Sequence, residues 1–215
     1  MEKRVSESRT EQVQILTQAE LNGYGRLFGG KLMEWIDIVA AVTARRHCGM
    51  NVTTAMVDSL EFGAPAYAND TIVLVGTVVY TGTTSMEVCV KTYIEKLNGE
   101  RKLINRASLI MVALDENEKP ARIPQLLCET EEEENEFLQA CHRAQMRKKR
   151  SMGSGIQKMQ YVGAAIGRPH RTRCRFIEKP MWKRRHRPDE LCSPLQRRDL
   201  PWIGEKYCSA SLLSA

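Results

Sequence analysis

Apolar residues form two kinds of pattern along the first 115 positions of the chain. The run "KLMEWIDIVAAVTARRH" (31–47) contains no Gly or Pro and is apolar on most faces, which predicts one long helix buried on most sides. Runs rich in β-branched residues surround it: "VQILT" (13–17), "NVTTAMVDSLEF" (51–62), "DTIVLVGTVVY" (70–80), "SMEVCVKTYIEKL" (85–97) and "KLINRASLIMVALD" (102–115). This combination predicts an α+β domain whose sheet wraps around the helix.

The links between the last four runs are short and contain turn residues. They read "GAPAYAN", "TGTT" and "NGE", so consecutive strands are predicted to be antiparallel, because a parallel crossover needs a dozen residues or more. We therefore expect a meander of neighbouring strands. In the 85–97 run, Met86, Val88 and Val90 share one face, whereas Glu87 and Lys91 share the other.

Charge divides the chain into two parts. Residues 1–150 hold 19 Lys+Arg against 21 Asp+Glu, and residues 151–215 hold 13 against 5. The segment "ETEEEENEFLQACHRAQMRKKR" (129–150) predicts a polar helix, acidic at its start and basic at its end. Beyond it the apolar period disappears while Arg and Pro recur, which predicts disorder. The predicted organisation is a folded domain over 8–127, a polar helix over 128–150 and a basic tail over 151–215.

The basic tail has two interpretations. Trp182 and Trp202 allow nucleic-acid contact by base stacking, but an extension without a binding role is favoured, since scattered Arg without a fold is weak evidence for specific binding. The seven dispersed cysteines form no C-x-x-C, which argues against a structural zinc site or a disulfide framework. No apolar run suits a membrane span or a secretory signal, so we predict a cytoplasmic protein without a metal site.

The segment "NGYGRLFGGKLMEWID" (22–37) is unusually rich in glycine. A phosphate-binding loop is excluded because Leu32 replaces the Ser or Thr that holds magnesium, and the residues upstream are polar rather than a buried strand. A dinucleotide fingerprint fails because Phe28 stands where its third glycine belongs. The glycines therefore need another explanation.

Asp37 follows the glycines on the predicted helix, among apolar residues. Two interpretations stay open: a carboxylate at an exposed edge, or a buried catalytic one, which must be paired or hydrogen-bonded. Gly29 and Gly30 place unpaired backbone N–H groups at the start of the same helix, where negative charge is favoured. A carboxylate base with backbone donors for an oxyanion is suited to acyl transfer. His47, in the last turn, is interpreted as a partner of the helix dipole.

The pattern N-x-x-G-x-x-F-G-G-x-(L/I)-M-x-x-x-D resembles the hotdog-fold acyl-CoA thioesterases, the group that includes the bacterial acyl-CoA hydrolases. The similarity continues through "TTAMVDSLEFGAPAYANDTIVL", "GTTSMEVCVKTY" and "NRASLIMVALDENEKPARIP", and it covers roughly residues 10–126. The resemblance implies a hotdog fold, in which a curved antiparallel sheet wraps a long helix.

By position, the resemblance implies a catalytic role for Asp37 and an active-site role for Asn22, which lies in the loop before the helix. Gly29 and Gly30 match the glycines whose backbone approaches the thioester carbonyl, and Thr54 matches a small polar residue near the pocket. A further set matches the turn associated with the phosphates of coenzyme A: Gly82, Thr84 and Ser85. Family members form homodimers with the site at their interface and usually assemble further into hexamers.

The function expected from this resemblance is hydrolysis of acyl-CoA to free fatty acid and coenzyme A, without a cofactor. Asp37 would act as general base or nucleophile, and the amide region of Gly30 would form the oxyanion hole. One alternative is a non-catalytic hotdog module that binds or senses acyl-CoA. Such modules usually follow a DNA-binding domain, and only about a dozen polar residues precede the first strand here. A hotdog dehydratase would need a His near the glycine loop, and residues 1–46 contain none.

Overall fold

The computed structural model of this chain describes residues 1–153, which form seven strands and three helices within that range. They are β1 (Glu2–Arg4), α1 (Val5–Ser8), β2 (Thr10–Ile15), α2 (Gly29–Cys48), β3 (Asn51–Phe62), β4 (Thr71–Thr81), β5 (Ser85–Glu95), β6 (Arg101–Leu114), β7 (Gln125–Leu127) and α3 (Glu131–Gly153). A 3-10 turn covers Gln18–Glu20. The long helix, the strands that follow it and the α+β class are confirmed. Predictions for the tail lie outside the described residues, apart from the last turn of α3.

Five strands form one antiparallel sheet in the order β2-β4-β5-β6-β3. The expected meander is therefore wrong at its first link, because β3 pairs with β6 and not with β4. Three strand spacings of roughly 4.8 Å separate β3 from β4, and residues 63–70 can cross that distance, since eight extended residues reach roughly 26 Å. This crossing segment is held to the loop before α2, where Leu27 N donates to Ala66 O at 2.9 Å.

Helix α2 lies against the concave face of the sheet, called the inner face below. Its core-facing side chains are Leu32, Trp35, Ile36, Val39, Ala40 and Ala44. The other side of the helix exposes Glu34, Asp37 and Ile38, so the expectation of burial on most sides holds for only one side in a single chain. Gly49 ends the helix as predicted, with a φ of 69° and its N–H on Arg45 O at 2.8 Å.

Helix α3 packs on the opposite, outer face of the sheet. Phe137 and Ala140 are buried there, and the ring of Phe137 lies 5.8 Å from that of Tyr80. The predicted polar helix is confirmed, and it runs three residues beyond its expected end at 150. Strand β2 begins three residues before the predicted run and ends at Ile15, because Leu16 N donates outside the ladder, to Asp70 O at 2.9 Å. Within residues 1–153 no helix is both long and apolar enough to cross a membrane.

Candidate active site

Asp37 and Thr54 form a hydrogen-bonded pair between α2 and β3. The hydroxyl of Thr54 donates to Asp37 Oδ1 at 2.6 Å, a short bond of the kind that a charged acceptor forms. A β-bulge interrupts the pairing of β3 with β6 just after Thr54, before Met56. Bulges re-aim side chains, and this one lies where the hydroxyl must point at the helix. Both residues are exposed in the single chain, so Asp37 lies at an exposed edge there, and its catalytic role stays a prediction.

Asn22 organises the loop that leads into α2. Its Oδ1 accepts hydrogen bonds from the backbone N–H groups of Tyr24, at 2.9 Å, and Arg26, at 3.2 Å. Gly25 allows this tight loop because its φ is +69°, which side chains disfavour. In the described residues the Nδ2 group of Asn22 donates to no protein acceptor. The side chain therefore fixes the loop through its oxygen and keeps two donors free.

Gly29 and Gly30 form the first turn of α2, as predicted. Among residues 1–153 neither amide has a hydrogen-bond acceptor, so two N–H groups stay available at the positive end of the helix. A Cβ on Gly30 would lie 2.6 Å from Cε1 of Phe28, and one on Gly29 would lie 3.6 Å from Cζ of Phe62. The two aromatic rings thus flank the free amides. Phe28 belongs to the glycine motif, whereas Phe62 lies in a later matched stretch where the sequence pattern assigned it no role.

The turn that carries Gly82, Thr84 and Ser85 lies between β4 and β5. Gly82 N donates to Ser85 O at 2.7 Å, and Thr84 O accepts from Ala113 N at 3.0 Å. Ser85 pairs with Val112, one position from the residue that pairs with Thr54. The turn therefore lies at the end of the sheet where β3 begins, two strands away from Thr54. The structure joins Asp37 to Thr54 and keeps this turn separate from that pair along the sheet.

His47 takes no part in this arrangement. It is 1% exposed, and its Nε2 lies 3.1 Å from Pro124 O. Burial lowers the pKa of His47, with the nearby carbonyl of Pro124 acting against that effect. His47 lies in the last turn of α2 as predicted, and its role as a partner of the helix dipole stays a prediction.

Large apolar side chains are exposed along α2, along β3 and in the loop before α2. Exposed side chains include Phe28, Ile38, Val57 and Phe62, with 46% of Ile38 and 57% of Phe62 accessible. In the described part of the chain β3 pairs with β6 alone, so its other edge presents unpaired backbone groups. A long apolar open edge favours pairing with another chain.

Comparison with known proteins gives a consistent result. Residues 24–99 match the thioesterase superfamily. An uncharacterized acyl-CoA thioester hydrolase of Bacillus subtilis, YkhA, is 41% identical over 149 residues, which are 69% of this chain and 87% of that protein. A hexameric acyl-CoA thioesterase of known structure is 39% identical, with a TM-score of 0.68 over 73% of this chain and 99% of that one.

A second solved structure is the acyl-CoA hydrolase from Staphylococcus aureus in complex with butyryl coenzyme A, coenzyme A and coenzyme A disulfide. It is 35% identical, with a TM-score of 0.69 over 76% of this chain and 99% of that one. The chain covers 87% or more of each of these three relatives, and the family match includes α2, β3 and most of the glycine segment. The chain therefore belongs to the acyl-CoA thioester hydrolases of the thioesterase superfamily, with their hotdog fold.

Proposed function

We infer that this protein hydrolyses the thioester bond of an acyl-CoA, releasing a free acid and coenzyme A. The observation that carries this conclusion is the Asp37 carboxylate, held by the Thr54 hydroxyl at 2.6 Å in a chain related to acyl-CoA thioester hydrolases. Thr54 occupies Oδ1, which leaves Oδ2 of Asp37 to accept a proton from water or to attack the carbonyl itself. In the base route, water attacks the carbonyl carbon and its proton passes to Asp37. The C–S bond then breaks as the coenzyme A thiolate leaves and takes up that proton.

The developing oxyanion needs donors, and the free amides of Gly29 and Gly30 supply them at a helix N-terminus. Gly30 and Asp37 are seven residues apart on one helix, roughly 10.5 Å along its axis. One carbonyl must lie within about 3 Å of both its donors and its attacking group, and an aspartate side chain is too short to bridge that gap. A complete site therefore takes Asp37 and Thr54 from one subunit and the loop with Asn22 and the glycines from another.

This requirement supports a homodimer built on the open edge of β3 and its exposed apolar side chains. The related thioesterase that is hexameric supports further assembly of such dimers. In the dimer the partner would cover Ile38 and Phe62 and thereby remove water from the reacting group, which strengthens the charge interactions there.

Engineered forms of the Staphylococcus aureus hydrolase support the choice of residues. Three of its solved variants each replace an asparagine, an aspartate or a threonine by alanine. Those positions are spaced by 15 and 17 residues, the same spacing that separates Asn22, Asp37 and Thr54. We propose the turn at Gly82, Thr84 and Ser85 as the contact for the coenzyme A phosphates.

The test is thiol release from acyl-CoA substrates of graded chain length, comparing the wild type with Asp37→Asn. Asn can still accept the Thr54 hydrogen bond but cannot take a proton, so kcat should fall roughly 10²- to 10⁴-fold. Because Asn has nearly the volume of Asp and keeps the Thr54 hydrogen bond, the melting temperature should change little. An unaltered kcat would remove Asp37 from the mechanism. Acyl-CoA binding by the wild type without thiol release would instead indicate a sensing module.

A further inference from the structure

A fully buried carboxylate lies on the outer face of the sheet, away from the site described above. Glu87 on β5 is 0% exposed, and both of its oxygens are paired with arginines of α3. Arg143 Nε donates to Oε1 at 2.7 Å, and Arg147 Nη2 donates to Oε2 at 2.7 Å. A buried carboxylate is tolerated only with such partners, so Glu87 and α3 are fixed to each other.

Arg147 makes a second ionic contact, which Arg143 lacks in the described residues. Its Nη1 donates to Asp58 Oδ2 at 2.6 Å. Asp58 belongs to β3 and Glu87 to β5, and β6 lies between those strands. The guanidinium therefore bridges two strands that are not neighbours, with side chains that are only 17% and 14% exposed for Arg147 and Asp58.

Asp58 occupies a second irregularity of β3. The register of β3 against β6 shifts between Thr54 and Met56, and it shifts again between Val57 and Ser59, which flank Asp58. Each shift inserts one unpaired residue into an edge strand that only β6 supports within residues 1–153. A slip of one residue turns every side chain of a strand to the other face. Asp58 is the unpaired residue of the second shift, so the register of residues 51–57 against β6 depends on where it lies.

We propose that Arg147 is a positioning residue for the thioesterase reaction. By holding Asp58 against Glu87, it fixes the register of β3 that directs the Thr54 hydroxyl at Asp37. This inference rests on the proposed function and extends it to α3, which touches none of the reacting atoms.

The variant that isolates the Asp58 contact is Asp58→Asn, because it leaves both arginines on Glu87. Its matched control is Arg143→Met, which removes one partner of Glu87 and leaves the Asp58 contact intact. We expect Asp58→Asn to lower kcat roughly 10- to 100-fold, as misplacement of a reacting group does, with KM nearly unchanged. Arg143→Met should lower the melting temperature and leave kcat, measured well below that temperature, unchanged.

Two further measurements separate positioning from general loss of stability. In a Thr54→Val background, Asp58→Asn should cause no additional loss of kcat, because the hydroxyl that it misplaces is already absent. Hydrogen exchange of the β3 amides should be faster in Asp58→Asn than in Arg143→Met, and this readout does not need turnover. Unchanged exchange, an unaltered kcat in Asp58→Asn or independent losses in the double variant would overturn the proposal. A wild type without thioesterase turnover would overturn the proposed function instead.

Discussion

Gly76 on β4 lies directly under α2 without room for a Cβ, and replacing it by alanine should destabilise the domain. A Cβ at Gly76 would lie 2.4 Å from Thr43 Oγ1 and 2.8 Å from Val39 Cγ1, both shorter than any ordinary contact. Thr43 is fully buried and its hydroxyl donates to Val39 O at 2.7 Å. It therefore cannot turn away without losing that hydrogen bond, and the helix must move instead.

The size of the effect follows from these contacts. Overpacking a core costs about 1–3 kcal/mol, and the Thr43 hydrogen bond contributes about 1 kcal/mol. Alanine recovers about 0.5–1 kcal/mol because glycine is unfavourable inside a strand. The net loss for Gly76→Ala is about 2 kcal/mol, which corresponds to a fall in melting temperature of roughly 4–8 °C for a domain of this size.

Urea unfolding of both proteins at one fixed concentration measures this loss with the concentration dependence of subunit association held constant. The matched control is Gly30→Ala, whose Cβ would lie 2.6 Å from Phe28 Cε1. Phe28 is 56% exposed and can rotate aside, so the free energy of unfolding should change by less than about 1 kcal/mol. Equal stability of Gly76→Ala and the wild type would refute the reasoning, since the helix would then have room to spare at β4.

Three other predictions concern pH, a buried hydroxyl and association. Burial lowers the pKa of His47, so its contribution to stability is complete above about pH 6.5 and is lost as the pH falls. The melting temperature of His47→Gln should therefore fall less on acidification than that of the wild type. Equal falls in the two proteins would contradict this. Thr92 has a buried hydroxyl without a partner among the described residues, so Thr92→Val should raise the unfolding free energy by about 1 kcal/mol in urea titrations, whereas a decrease would show that the hydroxyl is bonded. Val57→Asp places a charge on the exposed apolar edge of β3, so it should run as a monomer on size exclusion and show no thiol release. An active monomer would exclude a site built from two subunits.

Local pattern was sufficient for much of this fold. The apolar run of α2 and its terminating Gly49 are visible in the sequence because helix period and C-cap are short-range features. The pairing of β3 with β6 could not be predicted from the sequence, because residues 63–70 are long enough either for a hairpin link or for a crossing between the two sheet edges. Alternation along β5 placed Glu87 opposite the core, yet the arginines that bury it come from α3, 56 and 60 residues later.

The candidate site, like the fold, was predicted from the sequence only in part. Asp37 and the glycines at the start of α2 share one short motif, so the sequence placed them on one helix. The sequence left open whether Asp37 is exposed or buried, since the apolar residues that a core covers and those that a partner covers are chemically alike. The hydrogen bond with Thr54 depends on a β-bulge, and no residue in that stretch of β3 is a glycine or proline that would signal one.

The strand order also bears on how the molecule folds. Strands β4, β5 and β6 are joined by the short links 82–84 and 96–100, so their hairpins close over short loops. Strand β3 must instead find β6 across pairs separated by 43 to 63 residues, from Phe62 with Asn105 to Asn51 with Leu114. We expect β3 to join a preformed three-stranded sheet late, with φ-values near zero along it. Strand β3, which carries Thr54, thus keeps its backbone groups unpaired on both edges until late in folding. During that time, pairing with β6 of the same chain competes with premature pairing with another chain.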